Sequence, residues 1–283
     1  MPPGVEGGFA VVTGASRGLG EEIARRLHGA GMKVLLVGRS AARLAGLCGE
    51  LGARAAWAAV DLGGEGAAER LMMRARELSP RLDVLVNNAA IQGPIGDAWE
   101  NPWDEWQRTI RVNLLAPVEL CRLAVPWMAA GEGGSVVNLA GGGATSARPR
   151  FSAYATAKAG LARFSETLAR EAAAAKVRVN CVSPGAMGTD MLREIAAAGP
   201  ERAGEREHRA AVEGMAKGGA GARRAADLVL LLASPEAAGI SGRLISAVWD
   251  PWTALPERAG ELEGSDIYTL RRIVPEDRGK SWE

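Results

Sequence analysis

The stretch Phe9-Ala-Val-Val-Thr13-Gly14-Ala15-Ser16-Arg17-Gly18-Leu19-Gly20, running on into Glu21-Glu-Ile-Ala-Arg-Arg-Leu-His-Gly-Ala30, decides how this chain folds. Five residues of buried-strand composition meet three glycines and then a segment of helical length. The glycines stand at 14, 18 and 20, a GxxxGxG spacing rather than the commoner GxGxxG. Glycine lets the backbone turn sharply and approach a pyrophosphate, which rests on the free N–H groups of a helix N-terminus. Tight turns also want glycine, so the loop alone is a weak signal. Between a first strand and a first helix it reads as a dinucleotide cradle formed by Gly14, Ser16, Arg17, Gly18, Leu19 and Gly20.

The same alternation continues outward. Strand-like runs lie at 9–13, 33–38, 55–60, 83–87, 135–140 and 177–182, with helical stretches at 19–30, 40–51, 65–78, 103–130 and 152–175. A seventh strand is expected at 243–248, after a helix near 224–233. Apolar runs separated by helices predict βαβ units, and strands apolar on both faces predict a parallel sheet covered on both sides. The fold class is α/β: one doubly wound Rossmann domain of about seven strands over residues 1–248. No repeat or Pro/Ser-rich linker interrupts it. A lid is expected at about 187–218 and an extension at 249–283, packing on the domain or on a subunit interface.

The second strand ends in Gly38-Arg39. An acid there would bind a ribose 2′-hydroxyl. Arg39 and Arg17 instead suit a 2′-phosphate, so NADP(H) is preferred to NAD(H). Asp61 and Leu62, after the third strand, are placed to meet the adenine edge.

Tyr154 and Lys158 are four apart in a helical stretch and share a face. A cation beside a phenol favours the phenolate, which makes Tyr154 a usable acid/base. The pair opens the helix after the fifth strand, at the carboxyl end of the sheet, where ligands of such folds bind. With the glycine loop, the chain resembles the short-chain dehydrogenase/reductase family over roughly residues 8–248. The matching pieces are TGASRGLG (13–20), Asp61-Leu62, Asn87-Asn88-Ala89-Ala90, Asn113, Tyr154-Ala-Thr-Ala-Lys158, and Pro184-Gly185 with Thr189. The resemblance implies that Tyr154 passes a proton to or from the substrate oxygen. It implies that Lys158 holds the nicotinamide ribose and lowers the Tyr154 pKa, and that Asn113 anchors a water of the proton relay. Asn88, Ala89 and Ala90 would line the adenosine ribose and brace the sheet, and Pro184, Gly185 and Thr189 would cradle the nicotinamide amide. Asn87 and Asn180 also read as plain structural braces.

One element of the pattern is missing. The family places a serine 13 residues before the tyrosine, where this chain has Gly141, preceded by Ala140. Losing such a donor costs on the order of 3 kcal/mol in the transition state. Backbone N–H groups or the hydroxyls of Thr145 or Ser146 are the candidate replacements.

Substrate clues are sparse. Arg148 and Arg150 suit a phosphate or carboxylate, a solvated loop being the plainer reading. Trp99, Trp103 and Trp106 suit stacking on a sugar, or helix packing. Trp249, Trp252 and the pair Arg271-Arg272 mark the extension as a cover for the pocket mouth or an interface. The expected activity is NADP(H)-dependent interconversion of a carbonyl and an alcohol on a small, anionic or sugar-like molecule. A non-catalytic cofactor-binding sensor and a nicotinamide-assisted epimerase or dehydratase are the alternatives.

Composition narrows the partners. Lys and Arg number 34 against 33 Asp and Glu, with 2 His, for a net charge of +1, which excludes a strong footprint for nucleic acid or an anionic membrane. The 3 cysteines form no CxxC pair, so neither a disulfide framework nor a zinc site is expected. No membrane span or signal peptide is read, and the expected compartment is the cytoplasm. The resemblance further implies a homodimer or homotetramer, paired through the helices at 103–130 and 152–175.

Overall fold

The computed structural model describes residues 4–185, 187, 190–216 and 220–282. Seven parallel strands form one sheet: β1 (Phe9–Thr13), β2 (Lys33–Gly38), β3 (Ala55–Ala59), β4 (Val84–Asn87), β5 (Gly134–Leu139), β6 (Val177–Ser183) and β7 (Leu244–Ser246). Their order is β3-β2-β1-β4-β5-β6-β7. Val11 of β1 pairs with Leu35 of β2 on one side and Leu85 of β4 on the other. This is the doubly wound sheet that the apolar runs predict. All five residues of β1 are buried, as they must be when helices cover both faces.

The helices are α1 (Gly18–Gly29), α2 (Ala41–Leu51), α3 (Ala67–Leu78), α4 (Trp103–Ile110), α5 (Ala116–Ala129), α6 (Ser152–Glu171), α7 (Asp190–Ala203), α8 (Glu205–Ala216), α9 (Ala220–Ala233) and the short α10 (Ala259–Leu262). On one face Ile23 and Leu27 of α1 and Leu228 and Val229 of α9 pack with Val12, Leu36 and Val86. On the other, Leu71 of α3 and Leu120 and Ala124 of α5 pack with Val11, Leu35 and Leu85. Strand order reverses between β1 and β4, and the crevice this opens at their carboxyl ends is where the fold binds ligands.

The helix expected at 103–130 is not uniform. A π turn at Arg111–Leu115 separates α4 from α5. Its cause is Asn113, fully buried, whose side chain donates to the Ile91 carbonyl (2.8 Å) and accepts from the Ile91 amide (2.9 Å). Holding that side chain inward widens the turn, and such bulges cluster at functional sites. The run Trp103–Ala129 is long and apolar enough to cross a membrane by length and mean hydropathy (1.2), but half of its most apolar window is buried against the protein.

The expected seventh strand is shorter than 243–248, because the chain turns after Ser246, whose hydroxyl accepts from the amides of Val248 (3.3 Å) and Trp249 (3.1 Å). The 249–282 segment runs along this edge of the sheet. Leu244 donates to the Tyr268 carbonyl (2.8 Å), and Leu270 donates to Glu166 of α6 (2.6 Å). Arg243, nearly buried, bonds the carbonyls of Leu262, Ser265 and Ile267. Leu270 also packs against Ala140, Ala144 and Ala162, beneath the loop that follows β5.

Candidate active site

The β1–α1 turn is open where an anion would bind. Arg17 caps α1 in an extended conformation without a side-chain hydrogen bond, so the first-turn amides are not claimed by a capping side chain. Gly14 and Gly18 have φ of 67° and 57°, left-handed values that cost other residues. A Cβ on Gly20 would collide with the Gly14 carbonyl, so the chain approaches itself here as closely as only glycine allows. Thr13 locks this turn to β4. Its hydroxyl donates to the Val86 carbonyl (3.2 Å) and accepts from the amides of Asn88 (2.9 Å) and Ala89 (3.0 Å). The Asn88 amide in turn donates to the Thr13 carbonyl at 2.9 Å.

A cleft of about 520 Å³ lies over these carboxyl ends. It collects Gly14, Ser16, Arg17, Gly18, Leu19 and Gly20 with Arg39, Asp61, Leu62, Asn88, Ala89, Ala90, Tyr154, Lys158 and Pro184. Thus most of the residues singled out in the sequence line one cavity. Gly185 follows Pro184 with φ of 81°, packed against Val248, and Thr189 lies outside the described residues. Asn113 is beneath the cleft, not in its wall. Asn87 and Asn180 bridge buried polar groups: Asn87 donates to Asn138 (2.8 Å), and Asn180 to the Ile240 carbonyl (2.8 Å).

The cleft also holds residues the sequence reading missed, chiefly Arg43, Arg108, Asp190 and Arg193. Arg43 lies four residues beyond Arg39, a spacing that could have found it. Arg108 pairs with Asp61 across 47 residues (3.0 Å), and Asp190 takes both Arg17 and Arg193. Asp190 is on the first turn of α7, so one carboxylate ties α7 to the glycine loop. The Gly63 amide and Arg108 hold the Asp61 carboxyl below its ordinary range.

Around the tyrosine the site is drier. Tyr154 is buried among Ile95, Phe151, Ile195, Ala203 and Ala211, which closes α7 and α8 over it. Trp106 of α4 donates to Ser152 (3.2 Å) and so anchors the first turn of α6, with Trp103 stacked on it at 5.2 Å. Trp99 is exposed. Lys158 is buried and donates to the Leu139 carbonyl at 2.6 Å, with its ammonium 5.7 Å from the Tyr154 ring centre. Burial pushes Lys158 down to about 8. Burial pushes the Tyr154 phenol up, and the charge that opposes this rise is Arg148. The resemblance assigns the lowering of the phenol to Lys158, and Arg148 is a second cation beside it. In the protein alone, Lys158 is turned to a backbone carbonyl and its own charge is weakened by desolvation.

Gly141 is in contact with the phenol. A Cβ there would stand 2.5 Å from the Tyr154 hydroxyl oxygen. The space a serine would take is therefore already filled. Thr145 and Ser146 are exposed and do not line the cleft. Arg148 and Arg150 are ion-paired, to Glu207 (2.8 Å) and Asp97 (3.3 Å).

A family model for short chain dehydrogenases matches residues 8–199. The chain belongs to the short-chain dehydrogenase/reductase family. Members of this family are oxidoreductases that bind a nicotinamide dinucleotide, and the glycine cradle and open helix end of this chain fit such a group. Over 242 residues the chain is 32% identical to the 3-oxoacyl-(acyl-carrier-protein) reductase FabG of Escherichia coli (strain K12), spanning 85% of this chain and 95% of that one. It is 35% identical over 190 residues to Dehydrogenase/reductase SDR family member 4 of Homo sapiens, spanning 66% and 68%. The structure of an actinorhodin polyketide ketoreductase with NADPH superposes with a TM-score of 0.77 at 26% identity, over 86% of this chain and 96% of that one. An NAD+-bound xylitol dehydrogenase, at 23% identity, shares the fold with a TM-score of 0.76.

Proposed function

We propose that this family member is an NADP(H)-dependent reductase/dehydrogenase that interconverts a carbonyl and an alcohol, with Tyr154 as its acid/base. The observation that carries the cofactor choice is charge. Six cationic side chains (Arg17, Arg39, Arg43, Arg108, Lys158 and Arg193) line the cleft against two carboxylates, Asp61 and Asp190. The whole chain is only +1, so this excess is local. Two more charges at the ribose 2′-position suit it, and the end of β2 carries Arg39 where an acid would select the hydroxyl.

The bound dinucleotide supplies or accepts the hydride. Tyr154 gives its phenolic proton to the substrate oxygen in reduction and takes one back in oxidation. Lys158, which donates to the Leu139 carbonyl in the protein alone, would hold the nicotinamide ribose. The π turn carrying Asn113 supports the relay that returns a proton to the site. Pro184, Gly185 and Thr189 would hold the carboxamide. Ile95, Phe151 and Ile195 exclude water from the reacting oxygen, which strengthens the electrostatic effects on it. With Arg148 and Arg150 both ion-paired to carboxylates, a small neutral ketone or aldehyde suits the pocket better than the anionic or sugar-like molecule. The same reading expects a cytoplasmic enzyme that works as a homodimer or homotetramer.

The test is carbonyl reduction with NADPH in the wild type and in Tyr154→Phe. The variant should keep NADPH binding and lose turnover by at least 100-fold, on the scale of a removed general acid. Undiminished turnover in the variant would refute the assignment. Product formed without matching NADPH consumption would point instead to epimerisation or dehydration.

A further inference from the structure

Arg148 occupies an unusual place for an arginine. Its side chain is only 13% exposed. The guanidinium lies 4.0 Å from the centre of the Phe151 ring and 5.5 Å from that of Tyr154. Its Nε donates to Glu207 of α8 at 2.9 Å, and one Nη lies 2.8 Å from the same carboxylate oxygen. Among the described residues its other Nη has no acceptor. The loop carrying it is shaped for this approach. Gly141 lets the phenol lie against the backbone, and Gly142 is passed by the Arg148 side chain at 3.5 Å from where a Cβ would be.

We propose that Arg148 is a positioning residue for Tyr154, its guanidinium stabilising the phenolate through the ring, and that Glu207 on the lid sets how much of that charge the phenol feels. A cation near an aromatic ring is attracted to its face, and more strongly when both are desolvated and the ring gains negative charge. Other charged groups around Tyr154 are engaged elsewhere. Lys158 is held by the Leu139 carbonyl, with the neutral Cys181 thiol near it. Arg150 is paired to Asp97, Arg202 of α7 donates to the Ile95 carbonyl, and Asp190 and Arg193 face Arg17. Burial raises the phenol and the Arg148 charge lowers it, which agrees with the geometry. With the lid closed, Glu207 partly neutralises Arg148. Without Glu207 beside it, the full charge of Arg148 would act on the phenol.

The proposal rests on Tyr154 being the acid/base, but its test reads the phenol directly. The chain has only 2 tyrosines, Tyr154 and Tyr268. In a Tyr268→Phe background, the tyrosinate absorbance of the cofactor-free protein therefore reports Tyr154 alone. Arg148→Gln should move the midpoint to higher pH, and Glu207→Gln should move it to lower pH. Arg148→Lys, which keeps the charge, should stay closer to the parent than Arg148→Gln. Midpoints unchanged in both glutamine variants, or shifted in the same direction, would overturn the proposal. This holds whether or not the chain reduces a carbonyl. If it does, the pH profile of kcat/KM should move with the absorbance midpoints, a response that a merely structural arginine would not produce.

Discussion

Putting a serine at position 141 should harm this enzyme rather than improve it. The added Cβ would lie 2.5 Å from the Tyr154 oxygen and 3.2 Å from two ring carbons. Ordinary contacts begin near 3.4 Å, so the phenol must retreat by roughly 1 Å. It has little room to do so, because Phe151, Ile95 and Ile195 close around it. A misplacement of about 1 Å at a reacting group costs on the order of 100-fold in rate, or about 2.7 kcal/mol. The expected outcome for Gly141→Ser is therefore a loss of about 100-fold in kcat/KM for a ketone the wild type reduces, with NADPH affinity unchanged. Gly141→Ala carries the same Cβ without the hydroxyl and should lose a similar factor. A serine variant equal to or faster than the wild type would refute the reasoning. It would mean that the tyrosine moves freely and that position 141 is an ordinary vacancy.

Three further outcomes follow from the geometry. Thr145→Val and Ser146→Ala should each leave kcat/KM within about twofold, since both side chains are exposed and off the cleft, and surface changes are near neutral. Lys158 is charged at neutral pH in the unfolded chain but pushed down to about 8 when folded. The unfolded state thus binds more protons between about pH 8 and 10, and this group's contribution to stability rises with pH across that window. Lys158→Met should raise the melting temperature of the cofactor-free protein at pH 7, with the gain shrinking toward pH 10. A gain that grows with pH would contradict the burial argument. Arg243→Met should cost about 2–4 kcal/mol in denaturant unfolding, because it removes a buried charge from three carbonyls of the 262–267 segment.

The parts of the site that are local in sequence were legible there. GxxxGxG between a strand and a helix, and Tyr154 with Lys158 on one helical face, each follow from spacing within a few residues. What was not legible is long-range. Asp61 with Arg108, Arg17 with Asp190, and Arg148 with Glu207 join elements 47 to 173 residues apart, and no periodicity announces them. The π turn at Arg111–Leu115 was hidden because one helix interrupted by a wider turn has nearly the hydrophobic pattern of an uninterrupted one. The missing serine was visible in the sequence, but not its consequence. Only the three-dimensional placement of Tyr154 against Gly141 explains why a side chain does not fit.

The central claim is that this cleft is built for a dinucleotide with a ribose 2′-phosphate, and the most direct measurement is a pair of fluorescence titrations of the cofactor-free protein with NADPH and NADH. Tighter binding of NADPH by at least about 1.4 kcal/mol, tenfold, is the predicted result, with the preference lost in Arg39→Asp. Equal affinity for the two, or tighter binding of NADH, would contradict the account.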